Sequence, residues 1–158
     1  MKKKPLKSST RRVNNLNTAN KLFDKELVVK STTDNLAVIR DFTKAAAKSC
    51  GFSDETIDKI ALAVDEACTN VIKHAYQNSP EGDIIVNISV SENKMKVAIT
   101  DFGSNFDPTA VPEPDIRKYY RQHKVGGLGI YLMKKLMDEV NFSSGAGNSN
   151  QVILVKYL

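Results

Sequence analysis

The sequence lacks the features of a secreted or membrane-spanning protein. Only two cysteines, Cys50 and Cys68, occur among 158 residues, and they match no metal-binding pattern. No apolar run approaches the roughly 20 residues that cross a bilayer. The Lys-rich N-terminus is followed by polar residues and not by an apolar segment, so it does not have the pattern of a secretory signal. We therefore expect a cytoplasmic protein with reduced thiols and no membrane partner.

Acidic residues are absent from the first 21 residues, although the whole chain carries a net charge of +5. Without this segment the remainder is close to neutral. A basic, polar segment with almost no apolar side chains cannot offset the entropy lost on ordering, so we predict a disordered tail over residues 1–21 and one domain over residues 22–158. Direct nucleic-acid binding is the least favoured function, because the basic charge is concentrated in the tail without an aromatic-basic surface. The tail cations are Lys2, Lys3, Lys4, Lys7, Arg11, Arg12 and Lys21.

The rest of the chain has an ordinary globular composition, with 41% hydrophobic and 26% charged residues. Its patterns predict an α+β fold, a two-layer sandwich with an antiparallel or mixed, mostly antiparallel sheet and helices on one face. The predicted strands are 22–31, 84–91, 95–101, 141–144 and 151–157, the predicted helices are 33–49, 54–77 and 128–140, and residues 102–127 form a long, lid-like loop.

The segment from Asp54 to Gln77 has the strongest helical pattern. Its apolar residues form a wide arc that suits a core helix, and Ser53 precedes it as a candidate N-cap. The opposite side presents a row of polar residues, Glu66, Asn70, Lys73 and, at its margin, His74. The helix alone leaves two interpretations open: a site for a metal ion beside a polyphosphate, or a plain solvated surface.

Two glycine-containing motifs follow the helix. Asp101-Phe-Gly103 comes directly after a predicted strand, and Gly126-Gly127-Leu128-Gly129 opens a predicted helix. Glycines before a helix N-terminus let backbone N–H groups approach a phosphate. The second motif is not a P-loop, because no Gly-Lys-Ser/Thr occurs, and no βαβ unit surrounds it as in a dinucleotide fold.

Taken in order, these motifs resemble the N, G1 and G2 boxes of the GHKL ATPase superfamily. Within it, the sequence is most similar to the anti-sigma factor serine/threonine-protein kinases of bacterial partner-switching systems, over about residues 22–158. The matching words include DEACTN, IKHAY and GGLGIYLMKKLMDEV.

The resemblance implies ATP and Mg²⁺ as cofactors and assigns a role to each motif residue. Glu66 matches the general base, and Asn70 matches the magnesium ligand. Asp101 matches the acid that accepts a hydrogen bond from the adenine amino group. The other residues matching nucleotide contacts are Lys73, Gly103, Gly127, Leu128 and Gly129, with Arg117 or Arg121 of the lid offering charge to the transferred group.

Two positions depart from the family's pattern. Asn105 stands where G1 usually has its second glycine, and we expect it to tolerate a positive φ there with a changed pocket. Ile153 stands where the last strand often has a threonine, so we expect one polar contact to be missing. His74 is interpreted as a hydrogen-bonded structural histidine.

Two functions follow from the resemblance. The first is an ATP-dependent serine/threonine kinase that phosphorylates a small anti-anti-sigma protein and sequesters a sigma factor. The alternative is an ATP-gated binding module with little or no phosphotransfer. A sensor histidine kinase is disfavoured, since no helix with a phosphoacceptor histidine precedes the fold. The resemblance also implies a homodimer and a sigma-binding surface on helix 33–49, with Arg40 and Lys44 as candidates.

Overall fold

A five-stranded sheet carries the helices of this domain on one face. The computed structural model describes residues 21–123, 127–145 and 147–158. The tail predicted over residues 1–21 lies outside the described part of the chain except for Lys21, which begins the first strand. The strands are β1 Lys21–Lys30, β2 Asp83–Ser91, β3 Lys94–Asp101, β4 Glu139–Ser144 and β5 Asn150–Tyr157, and the helices are α1 Leu36–Ser49, α2 Asp54–Asn70, α3 Ile116–Arg121 and α4 Gly129–Leu136.

The strand order is β1-β2-β3-β5-β4, and each neighbouring pair is antiparallel. The predicted α+β sandwich is confirmed, and of the two sheet types left open the described strands form the antiparallel one. One face of the sheet is apolar because alternate residues of each strand point the same way. In β2 these are Ile84, Val86, Ile88 and Val90, each at most 1% exposed, and they pack under the helices.

Helix α2 is the centre of the helical layer and contacts both α1 and α4. Ser53 caps it as predicted, since its Oγ accepts a hydrogen bond from the Thr56 N–H at 3.3 Å. Cys68 is fully buried in the core as a small apolar residue. The apolar arc read from the sequence is therefore the face that α2 turns to the sheet and its neighbours.

The helix predicted to reach Gln77 ends earlier and differently. After Asn70 the chain widens into a π-helical turn, Val71–Ala75, in which the Tyr76 N–H donates to the Val71 carbonyl at 3.0 Å. Gln77 then takes a left-handed conformation with φ of 51°. This turn matters for the site because it changes the direction of the side chains that follow Asn70.

The helix predicted over residues 128–140 also ends early, at Leu136. Met137 is extended, and the Asp138 N–H donates to the Val155 carbonyl at 2.9 Å, so the chain joins β5 and does not complete another turn. The Lys156 ammonium donates to the Leu136 carbonyl at 3.0 Å and thereby caps the helix.

The predicted lid is only partly irregular. It contains α3, whose first turn is capped by the Asp115 side chain accepting from the Lys118 N–H at 3.1 Å. Lys124 and Gly126, which the sequence analysis included in the lid and the second glycine motif, lie outside the described residues.

The two ends of the sheet differ. Asp101 pairs with Asn150 at one end of the sheet, and Lys94 pairs with Tyr157 at the opposite end. Lys21 lies opposite Ser91 at that second end. In the part of the chain that the structure describes, no helix is both long and apolar enough to cross a membrane.

Candidate functional site

A cavity of about 510 Å³ opens between α2, α4 and one end of the sheet. This volume is in the range of small-molecule sites, roughly 300–1,000 Å³. Asn70 lines it from α2, Met133 from α4, and Asp101 and Asn150 from the strand ends. Phe106, at the start of the lid, forms part of the opposite wall. The predicted motifs of the central helix and of the strand end therefore meet in one pocket.

Asp101 marks the sheet end of the cavity and is only 5% exposed. Its Oδ1 accepts the Gly103 N–H and the Asn150 amide, each at 2.9 Å. The Asn150 amide also donates to the carbonyls of Gly103 and Ser104, both at 3.3 Å. A carboxylate has acceptor sites for about four hydrogen bonds, so Asp101 keeps capacity to accept from a ligand while the protein fixes its orientation.

Position 103 has space only for glycine, because the end of the π-helical turn lies against it. A Cβ at this position would lie 2.3 Å from the Ala75 carbonyl oxygen. The Ser104 N–H donates to that same oxygen at 2.8 Å. The turn after β3 is therefore pressed against the end of α2's extension, and a side chain at Gly103 would separate them.

Helix α4 begins against α2 beside Asn70, which lines the cavity. A Cβ added at Gly129 would lie 3.0 Å from Glu66 Oε2 and 3.3 Å from Asn70 Nδ2. The first N–H groups of a helix have no partner within the helix and attract anions. Carboxylate, amide and helix N-terminus thus converge beside the cavity.

The other residues predicted to contact the nucleotide are half-buried or exposed. Leu128 is half-buried as the N-cap residue of α4, and Gly127 is exposed with a left-handed φ of 77°, which only glycine adopts without strain. Lys73 is exposed and is not among the residues lining the cavity. It lies within the π-helical turn Val71–Ala75, where the spacing of a regular α-helix no longer applies.

His74 is not the internally hydrogen-bonded histidine that was expected. It is exposed, and its ring stacks on Phe106 with centroids 6.3 Å apart and an interplanar angle of 17°. It therefore supports the wall of the cavity that Phe106 forms.

The two departures from the family's pattern have smaller effects than the sequence suggested. Asn105 lines the cavity but is not among the residues with positive φ, so no glycine-like conformation is needed there. Ile153 pairs with Ala98 and Asn141. It alternates with Val152 and Leu154, which belong to the core, and so faces the side of the sheet away from the cavity.

Sequence reasoning missed Asn150 and left Tyr76 without a role. The Tyr76 hydroxyl donates to the Asp83 carbonyl at 2.7 Å and accepts the Phe102 N–H at 2.8 Å. Burial raises the pKa of this hydroxyl, so it stays protonated and able to donate. Neither contact follows from helix or strand periodicity, since one joins Tyr76 to a residue seven positions later and the other to a residue 26 positions later.

The donor set at the α4 end fits a magnesium ion. Mg²⁺ prefers oxygen ligands, keeps several waters and is bound by one or two protein groups together with phosphates. Asn70 offers an amide oxygen on the cavity wall, with the Glu66 carboxylate beside it. Among residues 21–123, 127–145 and 147–158, no three His, Cys, Asp or Glu side chains form a metal-binding group. The site thus suits a cation shared with a phosphate.

Known proteins are similar to this chain in sequence and in fold. The family described as "Histidine kinase-like ATPase domain" matches residues 29–156. The chain is 33% identical over 138 residues to serine-protein kinase RsbW of Bacillus subtilis, covering 84% of each. It is 34% identical over 116 residues to RsbW of Listeria monocytogenes, covering 71% of this chain and 73% of that protein.

A solved structure is similar in fold. It is the crystal structure of the RsbU and RsbW domains of a Mycobacterium tuberculosis protein, with a TM-score of 0.60 and 16% identity, covering 84% of this chain and 31% of that one. At this identity the likeness concerns the fold only. The family match over most of the domain, and relatives this similar along most of their length, show that the chain belongs to the histidine kinase-like ATPase family.

Proposed function

We propose that this protein is an ATP- and Mg²⁺-dependent serine/threonine-protein kinase acting as an anti-sigma factor. The observation that carries the proposal is that Asn70 and Asp101 line one nucleotide-sized cavity, and that Glu66 and Gly129 lie beside Asn70. Similarity to the RsbW serine-protein kinases supports serine as the acceptor residue.

Asp101 and the start of α4 bind different parts of the nucleotide. Asp101 accepts a hydrogen bond from the adenine amino group, and the start of α4 with Gly127, Leu128 and Gly129 receives the phosphates. Asn70 would hold Mg²⁺, which when bound neutralises phosphate charge and orients the γ-phosphate for in-line attack.

Glu66 acts as the general base on the acceptor serine. Its Oε2 takes the proton from the serine hydroxyl as the serine oxygen forms a bond to the γ-phosphorus and the bond from that phosphorus to the ADP oxygen breaks. The position of Glu66 Oε2 supports this assignment, because it lies at the beginning of α4, where phosphate is expected. Arg117 and Arg121 extend from α3 of the lid and would add positive charge on closure.

The partners follow from the same proposal: a small anti-anti-sigma protein as substrate, a sigma factor as the sequestered protein, and a second copy of the chain in a cytoplasmic homodimer. The two cations proposed to bind a sigma factor on α1 already form ion pairs with α2. Arg40 Nη2 lies 2.6 Å from Asp65 Oδ2 and Lys44 Nζ lies 2.7 Å from Asp58 Oδ1. A sigma factor that binds these cations must therefore share or displace their partners on α2.

The proposal is tested by ATP binding and phosphotransfer on purified protein. With Mg²⁺, calorimetry should detect ATP binding by the wild type and lose it for Asn70→Ala. Glu66→Gln should bind ATP normally yet fail to phosphorylate a purified anti-anti-sigma protein. Glu55→Gln, on the exposed first turn of the same helix, is the matched control and should keep full activity.

Two outcomes would contradict the kinase assignment. Absence of ATP binding by the wild type would reject any nucleotide-dependent function. ATP binding without phosphotransfer to an anti-anti-sigma protein would favour the ATP-gated binding module.

A further inference from the structure

Tyr76 stands at the point where β2 and β3 separate. Ile85 and Thr100 are paired across these strands, so two residues further along each strand Asp83 and Phe102 would form a pair. The Tyr76 hydroxyl occupies the space between them, because it accepts the Phe102 N–H and donates to the Asp83 carbonyl. Two backbone groups that a longer ladder would join directly are thus joined through a side chain.

The aromatic ring of Tyr76 is held in place by Gly82. A Cβ at Gly82 would lie 2.4 Å from one ring carbon and 2.5 Å from two others. Gly82 is itself fixed, since its N–H donates to the buried Ser31 hydroxyl at 3.1 Å and its carbonyl accepts the Ser31 N–H at 2.9 Å. The hydroxyl therefore has a defined position relative to the strands.

This position determines how the chain leaves β3. Phe102 lies between Asp101 and Gly103, and from it the chain turns toward Ala75. A direct bond between Phe102 and Asp83 would lengthen the ladder by a pair and draw this turn away from the π-helical turn. Tyr76 also follows that π-helical turn directly, so it links the Asp101 end of the cavity to the helix that carries Asn70.

We propose that Tyr76 is a positioning residue that sets the direction of the Asp101 carboxylate and thereby makes the cavity selective for a purine carrying an amino group at position 6. This inference rests on the proposed function, in which Asp101 accepts the adenine amino group. Tyr76 does not line the 510 Å³ cavity and acts through the turn that follows β3.

The test compares ATP with inosine triphosphate, which has an oxygen where adenine has its amino group. Calorimetry with Mg²⁺ gives both dissociation constants for the wild type and for Tyr76→Phe, which keeps the ring against Gly82 and removes the hydroxyl. We expect the ATP dissociation constant to rise about tenfold, corresponding to about one hydrogen bond to a charged group, while that of inosine triphosphate changes less than about twofold. The preference for ATP should therefore fall.

Tyr157→Phe is the matched control. It also removes a hydrogen-bonded tyrosine hydroxyl, one that bonds to Glu139 at the end of the sheet away from the cavity. It should leave both dissociation constants unchanged. Gly82→Ala provides an independent variant if Tyr76→Phe does not fold, because its added methyl group displaces the ring, and it should lower the preference for ATP in the same way.

The outcomes separate the inference from the proposed function. If wild type binds no ATP, both are rejected. If wild type prefers ATP and both variants keep the full preference, or lose affinity for the two nucleotides by the same factor together with melting temperature, Tyr76 is only a structural residue and the inference is wrong while the kinase proposal stands.

Discussion

At the scale of single residues, Asn150 is the group that holds the Asp101 end of the cavity together. One side-chain amide contacts a carboxylate and two carbonyls of the turn after β3. Asn150→Ala removes all three contacts, and we expect ATP affinity to fall about tenfold, as measured by calorimetry. The exposed Asn141 on the neighbouring strand gives the control, since Asn141→Ala should bind ATP like the wild type. Equal losses in the two variants would argue against this role.

Gly129 offers a way to disturb the proposed catalytic pair without disturbing the fold. Gly129 is the first residue of α4 and its φ is not in the left-handed region, so alanine can adopt the same backbone conformation and Gly129→Ala should melt close to the wild type. The added methyl group would lie 3.0 Å from Glu66 Oε2 and must push it aside. We expect phosphotransfer to drop about tenfold or more, because small displacements of reacting groups are costly. Undiminished turnover would show that Glu66 is not the base.

At the scale of elements, sequence patterns predicted the order and type of nearly all helices and strands but not where two helices stop. The side chains of Met137 and Val140 would suit a longer α4 as well as a strand. Only the pairing of this segment with β5 decides between the two. The π-helical turn after Asn70 likewise could not be predicted from the local sequence, because the hydrogen bond from the Tyr76 N–H to the Val71 carbonyl competes with an ordinary α-helical hydrogen bond.

The same division applies to the site. Helix spacing put Glu66 and Asn70 on one side of α2 and the end of a strand located Asp101, whereas their roles were implied by the resemblance. Asn70 and Asp101 line the cavity, and Glu66 lies beside Gly129 at the start of α4. Lys73 is exposed beyond the regular part of the helix, and its contact with nucleotide stays a prediction. Asn150 could not be found, since its contacts depend on the register between β3 and β5.

Met133 links α4 to the core and to the cavity, and it is 1% exposed. Met133→Ala should lower the free energy of unfolding by about 2–4 kcal/mol, because a buried side chain is lost and a void remains. Urea denaturation measures this change. Lys134→Ala, on the exposed side of the same helix, should change it by less than about 0.5 kcal/mol. Similar values for the two variants would mean that α4 is not packed as described.

At the scale of the whole molecule, the buried thiol of Cys68 makes stability depend on alkaline pH. Burial raises the pKa of Cys68 far above that of an unfolded cysteine. Above about pH 8.5 the unfolded chain loses this proton while the folded chain keeps it, so stability present at lower pH is lost as pH rises, by up to about 1.4 kcal/mol per pH unit.

The slope of unfolding free energy between pH 9 and 10 measures this effect by urea denaturation. Cys68→Ala should give a shallower slope than the wild type, whatever its absolute stability, because the other titrating groups are shared. Identical slopes would show that the thiol is not excluded from solvent.

Both ends of the described chain lie at the end of the sheet farther from the cavity. Lys21 is opposite Ser91, and the Leu158 N–H donates to the Asn93 carbonyl at 2.9 Å. Asn150 begins β5 at the cavity, and Tyr157 ends it at the other side, a separation of about 23 Å at 3.3 Å per residue. A fluorescent reporter or affinity tag fused after Leu158 would therefore stand clear of bound nucleotide. Protein immobilised on a sensor surface through that end would present its cavity to the solution.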